Sequence, residues 1–239
     1  MGLISAVSKV YTERISPKPG GPCPPSKCPP SSPIGIFDSG VGGLSVLQEI
    51  LQQLPHEEII FLADTARVPY GSRSADEIIK INQEIIPFLI KKGAKLIIMA
   101  CCTSFAIAYP VIKDDYPVEI LNLIDPGAEA AVAASPTGRI GLIATSATVN
   151  SDAYQKKIRQ IKPTAVVVAN ACPLFVPLVE NGKIDNEETK AVAKEYLKSL
   201  LQEKIDTLIL GCTHYPHLAR VIKEIVGPNK QSVEFVFKN

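Results

Sequence analysis

The sequence predicts an α/β protein made of two similar open-sheet halves, and three observations carry that prediction. Short apolar runs alternate with helical patterns from Pro33 onward, the order expected of α/β units. The run Leu96-Ile97-Ile98-Met99-Ala100 ends in Cys101-Cys102-Thr103, and Leu208-Ile209-Leu210-Gly211 ends in Cys212-Thr213-His214. Ile34-Gly35-Ile36-Phe37 precedes a turn before a helix, as does Ile140-Gly141-Leu142-Ile143. The cysteines stand 111 residues apart and the Ile-Gly strands 106. Two matches at nearly one offset indicate a diverged internal duplication. Cys101 and Cys212 then read as two halves of one site, at the ends of equivalent strands.

The expected organisation is a proline-rich tail over 1–32, α/β domains over 33–130 and 131–227, and a short segment over 228–239 that returns to the first domain. Residues 17–30 hold most of the tail's Pro and Gly, a composition that does not build a core. Cys23 and Cys28 have no further metal ligand nearby, so no metal site is expected there.

The first strand ends in Asp38-Ser39-Gly40-Val41-Gly42-Gly43, followed by a helix over Leu44–Leu54. The glycines let the backbone approach a neighbour closely, and the helix start offers free N–H groups. The order matches neither the dinucleotide fingerprint nor a P-loop. A second strand, Glu58–Leu62, leads to Asp64 and to Pro69-Tyr70-Gly71. Ser74 and Glu77 predict a capping box on a long helix that carries Pro87 and stops at Gly93. The third strand, Ala94–Ala100, delivers Cys101 to the carboxyl edge, where open α/β sheets bind ligands. A helix over Ser104–Ile112, a strand over Val118–Leu123 and a helix over Ala128–Ala134 complete the first half.

The second half opens with Arg139–Thr148 as strand and turn, then a helix over Ser151–Gln160 and a strand over Ala165–Val168. Ala171–Glu180 reads as an apolar loop closing on one carboxylate. Asp185 and Glu188 predict a cap for a helix running to Gln202. Thr207–Leu210 is the strand that delivers Cys212, a helix over Tyr215–Ile225 follows, and a last strand is expected at Val233–Phe237.

Composition excludes several classes of function. Net charge is +1, aromatics are 6% and tryptophan is absent, which disfavours a nucleic-acid surface. No apolar run is long enough to span a bilayer, no secretory h-region is evident, and Ala6 stands where a myristoylation signal wants Ser or Thr. The six cysteines, in a chain of this size, fit free thiols in a reducing cytoplasmic setting, with Cys172 as packing.

Both cysteine turns stand at expected helix starts, which lower thiol pKa. His214 is two residues past Cys212, placed to hold or accept its proton. Asp38, at the end of the first strand, can lie beside the end of the third and orient Cys101, although aspartate at such a turn is commonly a cap. Two facing thiols suit a redox disulfide, a soft-metal site with His214 as third ligand, or an opposed acid and base on one carbon. The last explains the duplication best, because inverting a stereocentre needs proton delivery to opposite faces.

Ile34–Leu44, Pro69-Tyr70-Gly71, Ile140–Tyr154, the segment ending at Glu180 and Leu210–Pro216 resemble motifs of the glutamate racemases over Pro33 to about Gly227. That resemblance implies two similar α/β domains with the active site in the cleft between them. It also implies interconversion of L- and D-glutamate with no cofactor and no metal, supplying peptidoglycan synthesis in the cytoplasm. It makes Cys101 and Cys212 the acid/base thiols, Asp38 and His214 their polar neighbours, and Glu180 a charged residue near the site. Ser39, Pro69, Tyr70, Gly71, Thr103, Thr145, Thr148 and Thr213 match positions around the substrate. The expected partner is a small acidic amino acid and, at most, a second copy of the chain in a homodimer; neither nucleic acid nor membrane is expected. An aspartate or other acidic amino-acid racemase is the second reading, and a binding or regulatory protein that has lost turnover is the third.

The chain departs from the family's pattern at four places. Cys102 replaces an asparagine whose amide would donate to the substrate carboxylate, which a thiol does poorly. Ser104-Phe105 stands where small residues are usual. The sequence ends at Asn239, where the family continues into a further helix, and the proline-rich tail is additional.

Overall fold

A computed structural model of the chain describes residues 32–227. The tail through Pro30, Cys23, Cys28 and the strand expected at 233–237 lie outside the described residues. The first half runs β1 (Ile34–Asp38), α1 (Gly43–Gln53), β2 (Ile59–Ala63), α2 (Ala75–Lys91), β3 (Leu96–Met99), α3 (Cys102–Ile112), β4 (Glu119–Asn122) and α4 (Ile124–Ala134). The second runs β5 (Arg139–Ala144), α5 (Ser146–Ser151), α6 (Ala153–Ile161), β6 (Val166–Ala171), α7 (Phe175–Glu180), α8 (Glu187–Gln202), β7 (Thr207–Leu210) and α9 (Ala219–Val226).

The strands form two parallel sheets, ordered β2-β1-β3-β4 and β6-β5-β7. The three-strand order of the second sheet repeats that of the first. The register repeats too: Ile34 pairs with Leu96, and Ile140 with Thr207. Cys101 is as far beyond Leu96 as Cys212 is beyond Thr207, so both occupy the same place at the carboxyl edge of their sheets. Thr213 is thereby the counterpart of Cys102, and His214 that of Thr103. The threonines that follow the two cysteines in sequence are therefore not equivalent in the fold.

Local sequence explains most element ends. Ser74 and Glu77 make the expected reciprocal capping box on α2, and Gly93 leaves that helix at φ +92. Asn186 caps α8 by accepting from the Thr189 N–H, one residue beyond the Asp185 expected for that role. Three expected segments differ. Ala171–Glu180 contains the helix α7 rather than a loop, and Ser146–Ser151 is a separate short helix. After Cys212 the chain makes a 3-10 turn, Tyr215–Leu218, before α9, so Cys212 is not at an α-helix start.

Strand alternation divides the core. Ile140, Leu142 and Ala144 of β5 join the apolar layer built on Ile36, Ile98 and Phe37 of the first half. Ile143 faces a second layer with Phe175, Tyr215 and Cys172. Cys172 is fully buried there, as packing requires. Among the described residues, no helix is long and apolar enough to cross a membrane.

Candidate active site

Asp38 closes β1 and is fully buried. Its Oδ2 accepts from the Gly43 N–H at 2.7 Å, satisfying the first turn of α1. The Thr213 hydroxyl, from the second half, donates to the same carboxylate at 3.2 and 3.3 Å. Asp38 is therefore both a helix cap and a link between halves. Burial raises its pKa; His214 opposes that most strongly, followed by the N–H groups of Gly43 and Ser39 and the Thr213 hydroxyl.

The turn after Asp38 lies against the second cysteine motif. The Val41 N–H donates to Glu180 Oε1 at 3.0 Å. The same oxygen lies 2.5 Å from His214 Nε2, and His214 Nδ1 lies 3.8 Å from Cys212 Sγ. A carboxylate oxygen accepts, so Nε2 carries a proton there, and Nδ1 is the ring atom that faces the thiol. Glu180, His214 and Cys212 form a polar line. Glycine at 40 and 42 makes this packing available. A Cβ at Gly40 would stand 2.0 Å from Glu180 Oε1, and one at Gly42 would stand 2.6 Å from both His214 Nδ1 and Thr213 Oγ1.

Across the site, Cys101 is the N-cap residue of α3, and Thr103 lies on that helix's first turn. Thr103 Oγ1 meets Thr145 Oγ1 at 2.8 Å and Thr148 Oγ1 at 3.3 Å. Thr145 also caps α5 by accepting from the Thr148 N–H. The loop Pro69-Tyr70-Gly71 closes on this cluster: a Cβ at Gly71 would stand 2.6 Å from Thr145 Cβ. The Tyr70 hydroxyl donates to Asp64 Oδ2 at 2.5 Å, and Arg67 Nε donates to the same oxygen at 2.6 Å. Ser39 is buried beside Cys101, whose charged form its hydroxyl favours. Cys102 Sγ lies 3.6 Å from the hydroxyl of buried Tyr154.

The structure thus assembles Asp38, Ser39, Cys101, Cys102, Thr103, Thr145, Thr148, Glu180, Cys212, Thr213 and His214 with the Tyr70 loop. Asp64 and Tyr154 are additions. Asp64 was visible as a carboxylate beyond the second strand, and Tyr154 as a polar-tipped aromatic after the fifth, but neither position indicated its partner.

The expectation that helix starts lower the thiol pKa values is overturned. Cys101 and Cys212 are only 5% and 8% exposed. Burial pushes the Cys101 thiol up to about 11, the Asp38 carboxylate pushes the same way, and the N–H and hydroxyl of Ser104 oppose them. Burial pushes Cys102 up to about 12, and raises Cys212 well above its ordinary value with Cys102 and Cys101 adding to the rise. Desolvation outweighs the helix end at Cys101, and Cys212 has no α-helix start beside it.

This predicts a fall in stability at alkaline pH. An unfolded cysteine ionises near its reference value of 9.0, whereas Cys101 holds its proton to about 11 and Cys102 to about 12. Between those values the native state binds more protons, so stability present below pH 9 is lost as pH rises. The loss is about 1.4 kcal/mol per pH unit per thiol. Urea midpoints should fall from pH 8 to pH 10, and less steeply in Cys102→Ala; an equal slope in that variant would contradict the assignment.

Comparison with known proteins identifies the family. The family profile described as Asp/Glu/Hydantoin racemase matches residues 34–235. The glutamate racemase of Geobacter metallireducens is 47% identical over 201 residues, 84% of this chain and 74% of that protein. That of Gloeothece citriformis is 50% identical over 203 residues, 85% of this chain and 72% of that protein. Among solved structures, a glutamate racemase isoform from Bacillus anthracis gives a TM-score of 0.80 at 39% identity, covering 83% of this chain and 74% of that one. The Francisella tularensis glutamate racemase, solved with D-glutamate, gives 0.75 at 38%, covering 82% and 73%. With two cysteines at equivalent sheet edges and matches over most of its length, this chain belongs to the Asp/Glu/Hydantoin racemase family.

Proposed function

We propose that the chain interconverts L- and D-glutamate, with Cys101 and Cys212 as the opposed acid and base. The observation that carries this reading is the repeated register, which sets one thiol at the same edge position of each sheet and gives each a polar neighbour from its own half. Its relatives are named glutamate racemases, and one of them was solved with D-glutamate.

In each turnover one sulfur is a thiolate and the other a thiol. The thiolate takes the α-proton, the electron pair stays on the α-carbon, and the opposite thiol gives its proton to the other face. Inversion is complete and the sulfurs have exchanged roles, so the reverse reaction uses the same path. A raised thiol pKa suits this chemistry: a thiolate formed in the closed site is a stronger base than one in water, and its partner holds its proton until the carbanion demands it. His214 receives the Cys212 proton through Nδ1 while Glu180 fixes the ring. Asp38 orients the Cys101 side of the site. Ser39, Tyr70, Gly71, Cys102, Thr103, Thr145, Thr148 and Thr213 supply N–H, hydroxyl and thiol groups around the substrate's carboxylates and ammonium.

Residues 33–130 and 131–227 act as two lobes that part to admit substrate. The nearly buried thiols support this, as do the polar contacts that join the lobes through Thr103, Asp38 and Val41. The D-glutamate produced supplies peptidoglycan synthesis in the cytoplasm.

The test is α-proton exchange. In deuterated water, L-glutamate is expected to gain one α-deuterium while its optical rotation decays to zero, and D-glutamate to do the same. Aspartate in parallel ranks the substrates. Well-folded protein that neither exchanges nor inverts glutamate would overturn the proposal; inversion of aspartate alone would transfer it to that substrate.

A further inference from the structure

Cys212 has a visible support in His214 and Glu180, while the polar surroundings of Cys101 are less obvious. They lie in the helix beneath it. Ser104 is the third residue of α3, after the N-cap Cys101, and it is fully buried. Asn82, in the middle of α2, is also fully buried. Its Nδ2 donates to the Ile78 carbonyl oxygen at 2.7 Å and to Ser104 Oγ at 3.3 Å, and its Oδ1 has no hydrogen-bond partner.

An asparagine here needs a reason, because apolar Ile78, Ile81, Ile85 and Ile86 line the buried face of the same helix. An orphaned buried acceptor is destabilising, and a leucine would not carry one. The contact to Ile78 settles the amide's orientation. A flipped amide would set oxygen against oxygen at 2.7 Å, so the NH2 group must face both Ile78 and Ser104. Ser104 Oγ is therefore an acceptor from Asn82, and its own hydrogen remains to be directed elsewhere.

We propose that Asn82 is a positioning residue which, by donating to Ser104 Oγ, turns the Ser104 hydroxyl hydrogen onto the Cys101 sulfur and so supports the Cys101 thiolate. The proposal rests on the reading of Cys101 as an acid/base thiol. The Cys101 side chain makes no cap hydrogen bond, but as N-cap residue it stands beside Ser104 in the first turn of α3, and the Ser104 N–H and hydroxyl are the first groups to favour its charged form against burial. All three residues belong to α2, α3 and the turn between β3 and α3. Parting the lobes leaves their arrangement intact, whereas it breaks the Val41–Glu180 contact on the Cys212 side.

The experiment follows iodoacetamide alkylation of Cys101 and Cys212 against pH, resolved by tandem mass spectrometry, together with kcat/KM for glutamate. Ser104→Ala should raise the pH midpoint for Cys101 by about one unit and lower kcat/KM about tenfold, leaving the Cys212 midpoint in place. Ser104→Thr, which keeps the hydroxyl, should restore both. Asn82→Leu should shift the Cys101 midpoint in the same direction while raising thermal stability, because the orphaned acceptor is gone. Combined with Ser104→Ala it should add no further shift, since the two act in series. An unmoved Cys101 midpoint in Ser104→Ala, an equal shift at Cys212, or failure of Ser104→Thr to restore it would overturn the relay. The alkylation profile reads the relay without turnover, so absence of racemisation with the expected shift would count against the racemase reading and not against the relay.

Discussion

Cys101→Ala and Cys212→Ala should each lower kcat/KM for glutamate racemisation by about a thousandfold or more. A positioned acid or base contributes about 10²–10⁴ to a proton transfer, and here one thiol must act on each face of the same carbon. Because the enantiomers are equal in free energy, kcat/KM must fall by the same factor in both directions. Any asymmetry appears instead in exchange. The thiol that remains can still remove and return a proton on its own face, so residual deuterium incorporation should be confined to one enantiomer, and the two variants should select opposite ones. Chiral chromatography with mass detection reads this directly. Exchange of the same enantiomer by both variants would place both sulfurs on one face and end the two-thiol mechanism. Both substitutions remove small buried side chains, so thermal melting should accompany the assay and show that each variant remains folded.

The second large effect is expected at a residue with no side chain. Gly42 has φ −54 and ψ −38, which any residue adopts, so the backbone conformation does not require glycine. Its cost is steric: the new Cβ would lie 2.6 Å from Thr213 Oγ1 and His214 Nδ1 and 2.9 Å from His214 Cε1. Neither neighbour gives way easily, since Thr213 is held by Asp38 and His214 by Glu180. Gly42→Ala should therefore push the turn away from the second half, displace His214 from Cys212, and lower kcat/KM about a hundredfold, the scale of a 1 Å misplacement in a catalytic site. Thermal stability should change far less than activity, because each half keeps its own sheet and helices. Activity near that of the parent protein would mean that the approach of this turn to His214 is not needed for turnover.

These predictions depend on features that the sequence displayed to different degrees. Apolar runs, the Ser74–Glu77 box and the two spaced repeats announced parallel strands, their carboxyl edges and the pairing of Cys101 with Cys212. These are local signals: strand burial, capping and chain reversal depend on residues a few positions apart. The short helices α5 and α7 escaped because six residues are too few to display a helical period, and α7 carries Pro177 within an apolar run that reads equally as loop.

The sequence by itself determined the α/β class, the duplication, and the identity of the residues gathered at the site. Tertiary structure alone decided their relations. It set Thr213 of one half on Asp38 of the other, and it gave Glu180 to His214 rather than leaving it at the end of a loop. It reversed the expected direction of the thiol pKa values, because desolvation depends on everything packed around a sulfur while a helix start is only its nearest neighbour. It also joined Asn82 to Ser104 across 22 residues. No spacing rule connects those two, since the contact arises where one helix packs on another and a polar atom buried there must find a partner or go without.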